Sequence, residues 1–291
     1  MRQAACWLTL HLTTQTAGMK ALLSRLLHNA GIMYSADNVR FHLHRLGYAR
    51  ENSKFRREHP GFALPPDYLL YESYGLRYTA YAEGGERAAR WLLDVVRPWL
   101  LDRNASSSPP LSVLDWGCGP ARMIRHLPAL LPPGSQVYGT DYNRQSVDWC
   151  RRHLPNIRFN HNGLQAALPY ADATFDLVYG ISIFTHLPLE QHYSWFAELL
   201  RVTAPRQLLV FTTQGRAFLS KLTGDERREF DSGRPVFRGL GHPGHRTCSA
   251  FHPPPFMRSL FEPCELLLHL ERPPDPGKPL PQDVWVLRKK G

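Results

Sequence analysis

Val113-Leu114-Asp115-Trp116-Gly117-Cys118-Gly119-Pro120-Ala121-Arg122 is the stretch that decides the fold. A short apolar run ends in a turn with two glycines, and a helix-period segment is expected directly after it, over 122–131. Glycines at such a turn free the backbone and let a ligand approach the chain closely. A helix N-terminus there offers unpaired N–H groups and a partial positive charge. This is the pattern of a nucleotide-like cofactor site at the C-terminal edge of a parallel sheet.

Working outward, strand-length apolar runs alternate with helix-period segments. Strands are expected at 112–114, 136–139, 157–159, 175–183 and 207–212, with late strands at 264–270 and 284–288. Helices are expected at 146–153 and 189–202. Continuous apolar strands alternating with helices mean a doubly wound α/β sheet covered on both faces. Upstream, Leu22, Leu23, Leu26 and Leu27 predict an amphipathic helix over 18–29, and 50–60 reads as a charged, solvated loop. Asp67 is placed to cap a helix running to about residue 77, 83–101 has a helical apolar pattern, and 104–110 is a Ser/Pro linker.

The 291 residues carry 35 Lys+Arg against 25 Asp+Glu, a formal net charge of +10, which raises a nucleic-acid or anionic partner. No long basic run or nucleic-acid motif accompanies it. No stretch of eighteen apolar residues exists, so no spanning helix is expected. Five widely spaced cysteines (Cys6, Cys118, Cys150, Cys248 and Cys264) without a CxxC pair favour a reducing compartment, and the cytoplasm is the expected location.

The cofactor class follows from the acids. A dinucleotide turn has a third glycine where this chain has Arg122. Asp115, two residues before the first glycine, would repel a pyrophosphate and suit a cationic group. Asp141 ends the second strand, 22 residues past Gly119, where a carboxylate accepts from ribose hydroxyls. The site therefore asks for a ribose and a cationic tail without a diphosphate.

These motifs, with 168–170 and 175–179 behind them, resemble the motif series of class I S-adenosylmethionine-dependent methyltransferases over roughly residues 70 to 215. The resemblance implies a Rossmann-like seven-stranded sheet, order 3-2-1-4-5-7-6 with strand 7 antiparallel, and S-adenosyl-L-methionine as cofactor. It implies that Asp115, Gly117 and Gly119 shape the methionine end, that Trp116, Cys118 and Arg122 also belong to the cofactor site, that Asp141 holds the ribose and that Tyr142 lies on the adenine. Asn162, Gly163 and Leu164 would meet the adenine edge, and Gly180 and Ile181 the sulfonium. Ala121 departs from the family, which often has glycine there.

His186, after the fourth strand, is the expected general base, because imidazole titrates near neutrality. Tyr71, Tyr74, Tyr78 and Tyr81 fall at helical spacing and suggest a lid, with Arg77 or Tyr78 near the cofactor carboxylate. His242, His245, Cys248 and His252 match no familiar zinc spacing, and no metal is expected; His245 and Arg246 are assigned to the acceptor. The organisation expected is a helical or irregular extension over 1–82 and the main domain over 83–291, with 216–262 as an insertion lining the acceptor site. The activity expected is O-methylation of a small metabolite or glycan, with RNA methylation or RNA binding, or a silent partner protein of the same fold, as alternatives.

Overall fold

The apolar runs take the doubly covered role their pattern asks for. The computed structural model describes residues 33–100, 109–238 and 248–291. Strands β1 (Ser112–Trp116), β2 (Gln136–Asp141), β3 (Arg158–His161), β4 (Phe175–Gly180) and β5 (Thr203–Thr213) are parallel, and β9 (Asp283–Lys289) runs antiparallel between β5 and β8 (Cys264–Leu270). The sheet order is β3-β2-β1-β4-β5-β9-β8, the arrangement implied by the resemblance. A separate two-stranded ladder joins β6 (Val236–Arg238) to β7 (Ser249–Phe251).

Because successive side chains point to opposite faces, each apolar strand feeds two cores. Val113, Leu177, Val210 and Val286 pack on one face against Ala89, Leu92 and Val96 of α3 (Tyr78–Leu100) and Trp149 and Cys150 of α4 (Arg144–His153). Their neighbours Leu114, Val178, Phe211 and Trp285 pack on the other against Trp195, Phe196 and Leu199 of α5 (Leu189–Val202) and Met257 of α7 (Pro254–Leu260). Helix α6 (Gly224–Asp231) opens on a capping box between Thr223 and Glu226.

Several expectations change. Residues 50–60 are mostly not a loop: they complete α1 (Met33–Glu58), whose charges lie on its exposed side while Asn52 and Phe55 are buried. Asn52 ties α1 to α3, donating from Nδ2 to the Leu76 carbonyl at 2.7 Å and accepting the Tyr78 N–H at 3.1 Å. Asp67 caps nothing; it opens the short α2 (Asp67–Ser73) and gives its carboxylate to Arg45 at 3.0 Å and the Tyr78 hydroxyl at 2.5 Å. The segment after the glycine turn is a six-residue 3-10 helix, Ile124–Ala129, rather than a helix over 122–131. Ala121 sits in the left-handed region (φ 63°) and Pro128 lacks an N–H, so no regular α-helix starts beside the turn. The expected helix at 18–29 and residues 104–108 of the linker lie outside the described residues. The boundary expected at 82/83 falls inside α3.

Helix α3 supports the glycine turn through one close contact. A Cβ on Gly85 would stand 2.1 Å from the carbonyl oxygen of Arg122. Helix propensity alone makes Gly85→Ala stabilising by about 1 kcal/mol. Overpacking against backbone costs roughly 1–3 kcal/mol, and the Arg122 carbonyl cannot rotate away as a side chain would. The substitution is expected to lower the urea midpoint; a raised midpoint would show that the helix stands off the turn.

Candidate functional site

At the C-terminal edge of the parallel strands lies a cleft of about 290 Å³. Its floor is the glycine turn. The Gly117 and Cys118 N–H groups donate to the Thr140 carbonyl at 2.8 and 3.0 Å, and Gly119 N–H donates to Asp141 Oδ2 at 2.8 Å. Asp141 Oδ1 accepts the Asn143 N–H at 2.7 Å. The carboxylate thus fixes the floor while it borders the cleft. Gly117 and Gly119 have φ of 77° and 52°, and a Cβ on Gly117 would stand 2.2 Å from the Ile183 side chain. Backbone torsion favours glycine at both positions, and at Gly117 space does so as well.

Of the residues assigned from sequence, Trp116, Gly117, Gly119, Arg122, Asp141, Tyr142, Asn162, Gly163, Leu164, Ile181 and His186 line the cleft. Three others stand behind its wall. Asp115 is buried and accepts the Tyr179 hydroxyl at 2.8 Å; burial pushes its carboxyl up to about 7, against the pull of that hydrogen bond. Cys118 turns its thiol into the core, and Gly180 gives room to the Trp116 ring, which a Cβ would approach to 2.6 Å. Asn162 lines the cleft, but its side chain is engaged, accepting from Thr140 Oγ1 at 2.7 Å and donating to the Gly163 carbonyl at 2.7 Å.

Tyr78 is the clear correction. It is buried in the N-terminal cluster, donating to Asp67 and accepting from Arg56 Nη2 at 2.6 Å, away from the cleft. Arg77 pairs with Glu51 at 3.1 Å. Gly75, with φ 92°, lies between α2 and α3, so the four tyrosines are not one stripe. The tyrosine that reaches the cleft is Tyr74, with Glu72 and Ser73. Tyr81 props the turn from behind, donating to the Pro120 carbonyl at 2.5 Å.

The cation is held against one aromatic ring. The Arg122 guanidinium lies over the Tyr74 ring, 4.6 Å from its centre. Its Nε is buried without a hydrogen-bond partner among the described residues. A phenol ionises only near about pH 10, so the Tyr74 ring is neutral beneath the cation.

Sequence reasoning missed Glu72, Ser73, Ser182, Ile183, Leu187 and Trp195, which also line the cleft. His186 donates from Nδ1 to the Cys248 carbonyl at 2.8 Å. A carbonyl only accepts, so the neutral ring carries its proton on Nδ1 and its basic lone pair on Nε2. His252 is paired with His192, the two Nε2 atoms 2.9 Å apart. His242, His245 and Arg246 lie outside the described residues. No described helix is long and apolar enough to cross a membrane.

Such a cleft, on such a sheet, is the arrangement expected of the class I S-adenosylmethionine-dependent methyltransferases. Residues 113–206 match the family model described as a methyltransferase domain, so this stretch carries a methyltransferase domain. Over 129 residues it is 31% identical to the trans-aconitate 2-methyltransferase of Rhizobium meliloti (strain 1021), covering 44% of this chain and 45% of that protein. The chain thus matches less than half the length of that relative. A Methanosarcina mazei structure described as an S-adenosylmethionine-dependent methyltransferase superposes with a TM-score of 0.50 at 15% identity, covering 67% of this chain and 97% of that one. A Pyrococcus horikoshii structure superposes with a TM-score of 0.50 at 17% identity, covering 73% and 96%. Both show the fold. The cofactor of this domain is S-adenosylmethionine, and the residues present fit it: a buried carboxylate beside the cleft, a glycine floor without side chains and a buried arginine Nε without a partner.

Proposed function

We propose that the chain O-methylates a small metabolite or glycan. The observation that carries this reading is His186 on the cleft wall with its tautomer fixed by the Cys248 carbonyl. When bound, the cofactor supplies an electrophilic methyl on a cationic sulfur. Asp141 would accept from the ribose hydroxyls, Arg122 would face the methionine carboxylate, and Tyr142 with the 163–164 backbone would frame the adenine. Ile181 would lie toward the sulfonium. Asp115 adds negative potential from beneath the floor and is favoured in its ionised form by a cation above it. His186 takes the proton of the acceptor hydroxyl at Nε2. The Rhizobium relative, named for trans-aconitate, supports a small-molecule acceptor.

The test is transfer of labelled methyl from S-adenosylmethionine into a cell extract, followed by identification of the labelled species. Label in a small molecule or glycan, on oxygen, supports the proposal. Label in RNA replaces it with the reading the +10 charge first raised, and failure to bind S-adenosylhomocysteine would leave a silent fold. His186→Ala is expected to slow transfer by about 10²- to 10⁴-fold, the usual contribution of a general base. Full turnover by that variant from about pH 6 to about pH 9, across the range where imidazole titrates, would remove the base assignment.

A further inference from the structure

We infer that Gln282 is a positioning residue for methyl transfer, locking the turn that carries Ser182 and His186; this rests on the reading above for its link to chemistry. Ser182 follows β4 with φ 66°, a left-handed conformation disfavoured for a residue with a Cβ. The turn is held by a closed ring of hydrogen bonds reaching across the sheet. Ser182 N–H donates to Thr212 Oγ1 at 2.8 Å, the Thr212 hydroxyl donates to Gln282 Oε1 at 2.5 Å, and Gln282 Nε2 donates to Ser182 Oγ at 2.7 Å.

The proton directions follow from the partners. The Thr185 hydroxyl donates its single proton to the Ser182 carbonyl at 2.5 Å. The contact between Ser182 Oγ and Thr185 Oγ1 at 2.9 Å must therefore use the Ser182 proton. Ser182 lines the cleft, yet its hydroxyl both accepts from Gln282 and donates to Thr185. It serves the turn and leaves proton transfer to His186. One turn further on, the His186 N–H donates to the Ile183 carbonyl at 3.0 Å, so the ring fixes the base of the segment that aims the imidazole.

Gln282 does not line the cleft. It stands 100 residues from Ser182, immediately before β9, where Thr212 pairs with Val284. Its carboxamide alone supplies the acceptor for Thr212 and the donor for Ser182. Gln282→Leu removes both; Gln282→Glu keeps the acceptor and loses the N–H donor.

The experiment compares full-length wild type, Gln282→Leu and Gln282→Glu by amide hydrogen exchange, by S-adenosylhomocysteine affinity and by labelled-methyl transfer into cell extract. In Gln282→Leu, exchange over 181–187 is expected to quicken by about 10-fold or more, the scale of two lost side-chain hydrogen bonds. Exchange in β1 should stay at the wild-type rate, and transfer should fall while S-adenosylhomocysteine affinity holds within about threefold, consistent with an unchanged floor. Gln282→Glu should retain part of the protection and part of the transfer. Unchanged exchange over 181–187, or acceleration spread equally through β1, overturns the proposal. Faster exchange with undiminished transfer overturns its link to chemistry. If wild type transfers no methyl, the O-methylation reading fails, and the exchange arm still decides whether Gln282 holds the turn.

Discussion

Replacing Asp141 with alanine is expected to weaken binding of S-adenosylhomocysteine by about 100-fold or more, as two hydrogen bonds to a charged group at roughly 1.5–3 kcal/mol each imply. The same change harms the empty cleft. Asp141 is 6% exposed and already accepts the Gly119 and Asn143 N–H groups. Alanine leaves both donors without that partner, a cost of roughly 1–3 kcal/mol for each one that stays unsatisfied. Asp141→Asn separates the two effects. Its amide oxygen can accept one N–H while its NH₂ faces the other, so it should retain more fold stability than ligand affinity. Calorimetry with urea unfolding checks both. Unchanged affinity in Asp141→Ala would remove the ribose assignment.

Acid should destabilise the protein through a pair of histidines away from the cofactor. His192 and His252 are fully buried. His192 donates from Nδ1 to the Pro188 carbonyl at 2.9 Å, so its Nε2 is the acceptor and His252 Nε2 the donor across their 2.9 Å contact. His252 Nδ1 is then an acceptor, with no partner among the described residues. Burial lowers His192 to about 4 and His252 well below its ordinary range. In the unfolded chain both titrate near about 6.5. Below that pH the unfolded state takes up protons that the native state refuses, so stability falls as pH falls. Between about pH 7 and about pH 5 each histidine should cost about 2 kcal/mol.

Asp115 works in the opposite sense. Its folded carboxyl, raised to about 7, binds a proton sooner than the unfolded one and offsets part of the loss. The pair is isolated by His192→Leu/His252→Leu, which removes donor and acceptor together. The urea stability lost between those two pH values should be about 4 kcal/mol smaller in the double variant than in wild type. Equal losses would show that the histidines are not neutral in the native state.

The sheet was legible because its strands are apolar on both faces, and that pattern reports burial directly. The limits of 189–202 and 264–270 agree with α5 and β8. The floor was legible because Gly117, Gly119 and Asp141 answer local demands of torsion, space and charge. The rest depended on contacts remote in sequence. The tyrosine spacing pointed to the N-terminal arm, but Gly75 resets the helical phase, and Tyr74 rather than Tyr78 enters the cleft. The helix expected over 122–131 is instead a short 3-10 helix, entered through the left-handed backbone of Ala121 and interrupted by Pro128. The Gln282 ring has no local signature, since its members lie up to 100 residues apart.

The two walls of the cleft also differ in age as the chain leaves the ribosome. Glu72, Ser73 and Tyr74 are synthesised before the turn and Asp141 that they face. Phe55, Leu70, Tyr71, Leu76, Tyr78 and Tyr81 form an apolar cluster of their own, so the arm has a nucleus available early. Tyr81 and Gly85 meet Pro120 and Arg122 only after the glycine turn has emerged. The cofactor cleft therefore lacks one wall until both the arm and the sheet have been synthesised and packed together, and the nascent chain has no finished binding site to offer before then.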